Sequence, residues 1–269
     1  MDRAVRTTGT TASPAAQPPA GEAVVNKAFA LLRAFDADHP AQSLASLARR
    51  SGLPRSTALR LAHQLRETGA LERLDDGRYV VGLALLEIAS LAPRVRGLVE
   101  AARPAMARLL RTTREHVLLA VRDGHHAVLV ERLSASRACP VWHQVGGRTS
   151  LPATGVGMVL LAHAPAQIQQ AALARFRPGQ SGDALSGAED LRRCLAEIRR
   201  TGHVVGERRT PWPRSTAAAP VCGPDGSVVA SLSSVTPSPD FATAHIHAVR
   251  ATARTVTARL RAGGGGGGR

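Results

Sequence analysis

Apolar residues recur at three- and four-residue intervals near the start of the chain. Val25, Ala28, Phe29, Leu32 and Phe35 mark one face of a helix, which His39 and Pro40 end. Ser43 can N-cap a second helix over 44–50, with Leu44 and Leu47 turned inward. Gly52 supplies a tight turn. Pro54 suits the first position of a third helix, where a missing N–H costs no hydrogen bond. Ala58, Leu61, Ala62 and Leu65 form the apolar face of that helix, which runs to about Glu67 and is stopped by Gly69. A strand over 71–74 and a return strand over 78–81 flank Asp76 and Gly77, a hairpin signal whose type I′ turn needs positive φ at both positions. A helix over 83–91 reads as a linker.

Beyond residue 94 the pattern changes. A helix over 95–112 precedes two apolar strands, 116–122 and 127–133, joined at Asp123 and Gly124. A short strand over 142–145 and a Gly-rich corner over 146–157 lead into a helix that ends near Ala162. Helices over 166–175 and 188–200 follow, then strands over 203–207, 217–222 and 228–234, the last two joined at Pro224, Asp225 and Gly226. A final amphipathic helix covers 241–260. Helices on a largely antiparallel sheet predict an α+β fold with the character of a sensor domain.

The expected organisation is a disordered tail over 1–22, a winged helix-turn-helix domain over 23–82, a linker helix over 83–94, an α+β domain over 95–262 and a glycine-rich tail over 263–269. No secretory signal pattern and no apolar run long enough for a membrane helix are present, so the sequence predicts a cytoplasmic protein with no membrane partner. Cys139, Cys194 and Cys222 form no C-x-x-C pair and fit three reduced thiols better than a zinc site.

Net charge sharpens this only a little. The formal charge is +15 and the pI about 11.6, which invites an anionic partner. Residues 23–91, however, carry nine Lys/Arg against seven Asp/Glu, and most of the excess lies later. Lys27 is the sole lysine, so a coding preference for arginine explains the excess as well as an anionic partner of the second half does.

Local chemistry carries more. In a helix-turn-helix the second helix of the motif lies in the major groove with its first turns at the base edges. Here those turns offer Arg55, Ser56, Thr57 and Arg60, all off the apolar face. Arginine bonds guanine bidentately, and the hydroxyls reach bases or phosphates. Leu59 can touch a thymine methyl, Gln64 lies farther along toward phosphate, and Arg78 sits just past the wing tip. The bland alternative is a helical hairpin for protein contacts with solvated arginines. The order of motif helix, Pro-started helix and Asp-Gly wing weighs against it.

The stretch 43–82, SLASLARRSGLPRSTALRLAHQLRETGALERLDDGRYVVG, resembles the DNA-binding domain of the isocitrate-lyase-regulator (IclR) family, whose pattern is L-x-E-L-A-R-x-x-G-L-P-K-S-T-x-x-R-L-L-x-x-L. Leu47, Ala48, Arg49, Gly52, Leu53, Pro54, Ser56, Thr57, Arg60, Leu61 and Leu65 keep it, with Arg55 in place of lysine. The likeness extends over most of 24–260. It implies a winged helix-turn-helix joined to a GAF-like effector-binding domain, working as a homodimer or homotetramer on double-stranded DNA.

The family segment G-x-x-x-P-L-H-A-T-A-x-G-K-A resembles 147–159, matching at Ala153, Thr154, Gly155 and Gly157. The resemblance places Gly155 and Val156 on the backbone of a pocket for a small organic or aromatic acid. A helix start there offers amides to a carboxylate. Met158 and Pro152 replace the family's lysine and histidine, Glu207 alone keeps an acid in the family's acidic segment, and Ser233 keeps the first of a polar pair whose second position is Val235. Two readings stand: a larger or more apolar ligand touched by Trp142, Met158 and Trp212, or a regulator that has lost its ligand.

No catalytic constellation is present. Gly155, Val156 and Gly157 lack the third glycine and the preceding strand of a dinucleotide fingerprint, and no G-x-S-x-G elbow occurs. The histidines are scattered. The sequence predicts no enzyme, no cofactor and no metal ligands. It predicts instead a regulator on a pseudo-palindromic operator, a repressor tuned by a metabolite, with a ligand-independent activator as the alternative.

Overall fold

The computed structural model describes residues 24–36, 38–141, 144–178, 185–208 and 214–264. The expected tail over 1–22 and most of the glycine tail lie outside them. The chain forms two compact units, Met1–Ala92 and Pro93–Arg269.

In the first unit, α1 (Val24–Leu32), α2 (Leu44–Ser51) and α3 (Arg55–Glu67) surround one core, in which Leu31, Leu47, Ala58, Leu61, Ala62 and Leu71 are almost fully buried. The Ser43 hydroxyl accepts from the Ser46 amide at 3.2 Å and starts α2. Gly52, at φ 71°, ends it and turns the chain toward α3. Pro54 occupies the N-cap rather than the first helical position, its ψ of 141° still extended.

The first-helix face differs from the sequence reading. Val25 and Phe29 are exposed, while Leu31 and Ala34 are buried with Ala28, Leu32 and Phe35 against them. The helix ends at Leu32, so a turn rather than a fourth helical repeat brings Ala34 inward.

The wing is a three-stranded sheet in the order β1 (Ala41–Gln42), β3 (Tyr79–Val81), β2 (Leu71–Arg73). The brief β1 has no sequence signal. The wing turn is not type I′. Only Gly77 has positive φ, at 82°, and the Gly77 amide donates to Leu74 O at 2.9 Å while Leu74 N donates to Arg78 O at 2.8 Å. This is a tight turn closed by a left-handed glycine, which leaves Asp76 in an ordinary conformation. The unit ends in α4 (Leu83–Ser90).

The second unit is α+β. Its six-stranded sheet is antiparallel throughout, in the order β6 (Arg148–Ser150), β5 (His126–Ser134), β4 (His116–Asp123), β9 (Val228–Thr236), β8 (Arg214–Cys222), β7 (Val204–Arg208). The expected strand over 142–145 is absent at 144–145, where the chain turns. The edge strand forms three residues later at β6, and 142–143 lie outside the described residues.

Alternation along the central strands makes two cores. Val117, Leu119, Ala217, Ala219, Ala230 and Leu232 face α5 (Pro93–Thr113) and α9 (Pro239–Gly264). Leu118, Ala120, Ala218 and Val235 face α6 (Gly155–Ala162), with α7 (Ala166–Arg175) and α8 (Ala188–Thr201) behind it. A one-residue slip would exchange the two sets, so the alternation fixes the register. Helix α9 runs to Gly264, four residues past the expected end. No helix among the described residues is long and apolar enough to cross a membrane.

Candidate nucleic-acid interface and ligand pocket

Helix α3 buries Ala58, Leu61 and Ala62, which pins its opposite face outward. Arg55, Ser56, Leu59, Arg60 and Gln64 are exposed on it and Thr57 is half-buried. His63 is exposed three residues after Arg60, an aromatic donor on the same face that sequence reasoning did not single out. Its i+3 spacing from Arg60 was the available signal.

Arg78 is exposed on the wing, but its Nε donates to Asp76 Oδ2 at 2.6 Å. The backbone and side chain of Arg78 hold the Asp76 carboxyl below its usual range. A phosphate must therefore compete with Asp76 for this guanidinium. Arg73, also exposed, lies with its guanidinium carbon 5.9 Å from the Tyr79 ring centre, adding a cation at the base of the wing.

The second unit holds a cavity of about 290 Å³, walled by Leu118, Ala120, Ala127, Leu129 and Val156 and rimmed by Gln144, Gly147, Arg148, Thr149 and Thr154. It opens at the first turn of α6. There the Thr154 hydroxyl accepts from the Gly157 amide at 3.1 Å, and the Met158 amide donates to Thr154 O at 2.8 Å. The Gly155 and Val156 amides are the first two of the helix and have no acceptor within it. Gly157 is required by close approach: a Cβ there would stand 2.2 Å from Leu151 O. Arg148 at the rim is held by Asp123, Nη1 to Oδ2 at 2.7 Å, so an acid entering there must share this guanidinium with Asp123.

Of the residues singled out in the sequence, Thr154 and Val156 line this cavity, and Ala153 and Gly155 adjoin them in the chain. Met158, on α6, is buried in the core and does not line the cavity. Ser233 is fully buried on the sheet face that carries Leu118, opposite it in register, and its Oγ has no hydrogen-bond partner. Glu207 is exposed on the edge strand β7. Trp142 and Trp212 lie outside the described residues. The strand residues Leu118, Ala120, Ala127 and Leu129 were not singled out, because only the sheet topology shows which strand face meets α6.

A winged helix-turn-helix unit joined in one chain to an α+β unit is the make-up of a DNA-binding regulator. The family profile described as "IclR helix-turn-helix domain" matches residues 24–75, and "Bacterial transcriptional regulator IclR C-terminal" matches 92–259. The chain belongs to the IclR family of transcriptional regulators. The HTH-type transcriptional regulator KipR of Bacillus subtilis (strain 168) is 28% identical over 214 residues, 78% of this chain and 84% of that protein. The HTH-type transcriptional repressor AllR of Klebsiella pneumoniae is 27% identical over 250 residues, 89% of this chain and 90% of that protein. Among solved structures, an IclR homolog complexed with 4-hydroxybenzoate from Microbacterium hydrocarbonoxydans has 30% identity and a TM-score of 0.82, with 89% of this chain and all of that one covered.

Proposed function

We propose that the chain is a cytoplasmic repressor that binds a pseudo-palindromic operator as a dimer or a pair of dimers and loses or gains operator affinity when a small aromatic or short organic acid enters the α6 pocket. It turns over no substrate. The observation that carries the ligand half is the pocket itself: apolar walls sized for a single ring, the start of α6 at Thr154 and Val156 in its lining, and Arg148 at the rim. The relative that holds 4-hydroxybenzoate supports that ligand class, and the relative named a repressor supports the sign. Val24, Val25 and Phe29 on α1 and Leu83, Leu86 and Ile88 on α4 are exposed apolar side chains that a second copy would cover. Two-fold symmetry then matches two α3 helices to two half-sites.

Fluorescence anisotropy with a labelled fragment of the chain's own promoter tests this. Hydroxybenzoates and short aliphatic acids are titrated into the complex. One of them is expected to shift operator affinity saturably, since a ligand acts only through its differential affinity for two states. Operator affinity that stays constant across the panel, with specific DNA binding intact, refutes the acid-responsive reading and favours a ligand-independent regulator.

A further inference from the structure

We infer that Glu115, His116 and Cys139 form a site for a divalent transition-metal ion, zinc by the chemistry of the donors. Their ligand atoms, a carboxylate oxygen, a ring nitrogen and a thiol sulfur, lie within 4.8 Å of one another. Glu115 and His116 are adjacent at the start of β4, and Cys139 stands in the loop that follows β5. No short motif links them. The register of β4 with β5 brings them together, which is why the absence of a C-x-x-C pair was a poor guide.

The donor set suits zinc. Sulfur, imidazole and carboxylate are all zinc ligands, and the thiolate disfavours magnesium and calcium. Tetrahedral bonds of about 2.0–2.3 Å put donors roughly 3.3–3.8 Å apart, so the set must close by about 1 Å at its widest. The loop supplies that movement, because Cys139 is outside regular structure while His116 is anchored in β4 and Glu115 directly precedes it.

His116 is already oriented as a ligating histidine is. Its Nδ1 lies 2.8 Å from Ser134 Oγ, its cross-strand partner, and this turns Nε2 toward the Cys139 loop. With Nε2 donating to the Cys139 carbonyl, the neutral ring accepts from Ser134 at Nδ1; ligation through Nε2 moves the proton to Nδ1, which then donates to Ser134 Oγ, and that bond holds the ring of a metal-bound histidine. At present Nε2 meets Cys139 O, and the Cys139 amide donates to Glu115 Oε2 at 3.2 Å. The loop is thus held against both donors by contacts that the metal replaces at Nε2. Arg214 Nε donates to Pro140 O at 3.1 Å from the other side and limits how far the loop can leave. Three protein donors leave a fourth position for water or an exogenous ligand. Gln144 of the pocket rim lies five residues beyond Cys139 in the sequence.

Cobalt(II) is the probe, because its thiolate complexes absorb in the near ultraviolet and, when tetrahedral, strongly in the visible. Titration of the full-length, metal-stripped protein is expected to give a sulfur-to-cobalt charge-transfer band that saturates at one equivalent per chain and is bleached by zinc. Cys139→Ser loses that band, while Cys194→Ser and Cys222→Ser keep it. Ser134→Ala leaves all three donors in place and weakens zinc about 10–100-fold by releasing the His116 ring. Circular dichroism on each variant separates loss of donors from loss of fold. A wild-type protein without a thiolate band, or a band that survives Cys139→Ser in a folded variant, overturns the site.

Discussion

Gly157 and Leu151 are packed so closely that the Leu151 carbonyl fills the space a Cβ would need, 2.2 Å away. The contact joins the short 3₁₀ turn at Leu151–Ala153 to the first turn of α6 and so sets the mouth of the pocket. Gly157→Ala is expected to cost about 1–3 kcal/mol as an overpacking change, because backbone rather than a flexible side chain must give way. Urea denaturation measures the loss. Ligand affinity should fall with it, whereas Thr154→Ser, which keeps the capping hydroxyl, should leave both near wild type.

Arg114 predicts the opposite sign. It follows the last turn of α5 with φ 54°, among the described residues the one non-glycine with positive φ, and its side chain is exposed. L-residues pay about 1–2 kcal/mol in this region and glycine does not. Arg114→Gly is expected to raise stability by about 0.5–1 kcal/mol after the added freedom of the unfolded chain is counted. A lower denaturation midpoint would refute the strain.

Asp36 predicts a pH dependence in the first unit. Burial acts to raise its carboxyl, but the hydrogen bond from His39 and the nearby Arg50 cation outweigh it and hold the group below 3.8. A carboxyl lowered on folding stabilises fully above its unfolded value and loses that contribution as pH falls through the folded value. The denaturation midpoint of wild type minus that of Asp36→Asn should shrink toward zero as pH falls from the unfolded value through the folded one. A difference that instead grew on acidification would contradict the pairing.

Arg60 is exposed on α3, so its removal should spare the fold. Arg60→Ala is expected to weaken specific operator binding by about 1–3 kcal/mol, roughly 5–150-fold, with an unchanged melting temperature. Arg78→Ala should cost less, because its guanidinium already answers Asp76 at 2.6 Å. Parallel salt titrations distinguish a base contact from a phosphate contact, since loss of the latter flattens the slope.

Ile88 and Phe29 test association. Both are more than half exposed and neither supports the described core of its unit. Phe29→Glu with Ile88→Glu should move the protein toward monomer in sedimentation velocity and weaken operator binding, while the circular dichroism spectrum stays the same. A protein that remained dimeric would place the interface elsewhere.

Sequence reasoning reached the helices of the first unit and the alternating strands of the second because each is written in local periodicity. It assigned Val25 and Phe29 to the core because spacing shows that a helix is amphipathic but not where the chain leaves it. It read the wing as type I′ because an Asp-Gly pair alone does not reveal how many residues close the turn. The pocket was legible at Thr154 and Val156, which share a helix start. The walls at Leu118 and Leu129 follow from which face of β4 and β5 meets α6, a property of sheet order. His116 near Cys139 is the same case: residues 23 apart became neighbours through strand pairing.

Strand β9 lies at the centre of the sheet and contributes to both cores, with Leu232 on one side and Val235 on the other. The two helical layers therefore cannot open independently: releasing α6 from Val235 loosens the strand that α9 also holds. Amide hydrogen exchange in α9 should slow when a ligand occupies the cavity at α6, although α9 contributes no residue to its lining. Ligand occupancy would then be recorded as protection on the far layer of the sheet, a thermodynamic readout of the whole unit rather than of its binding site.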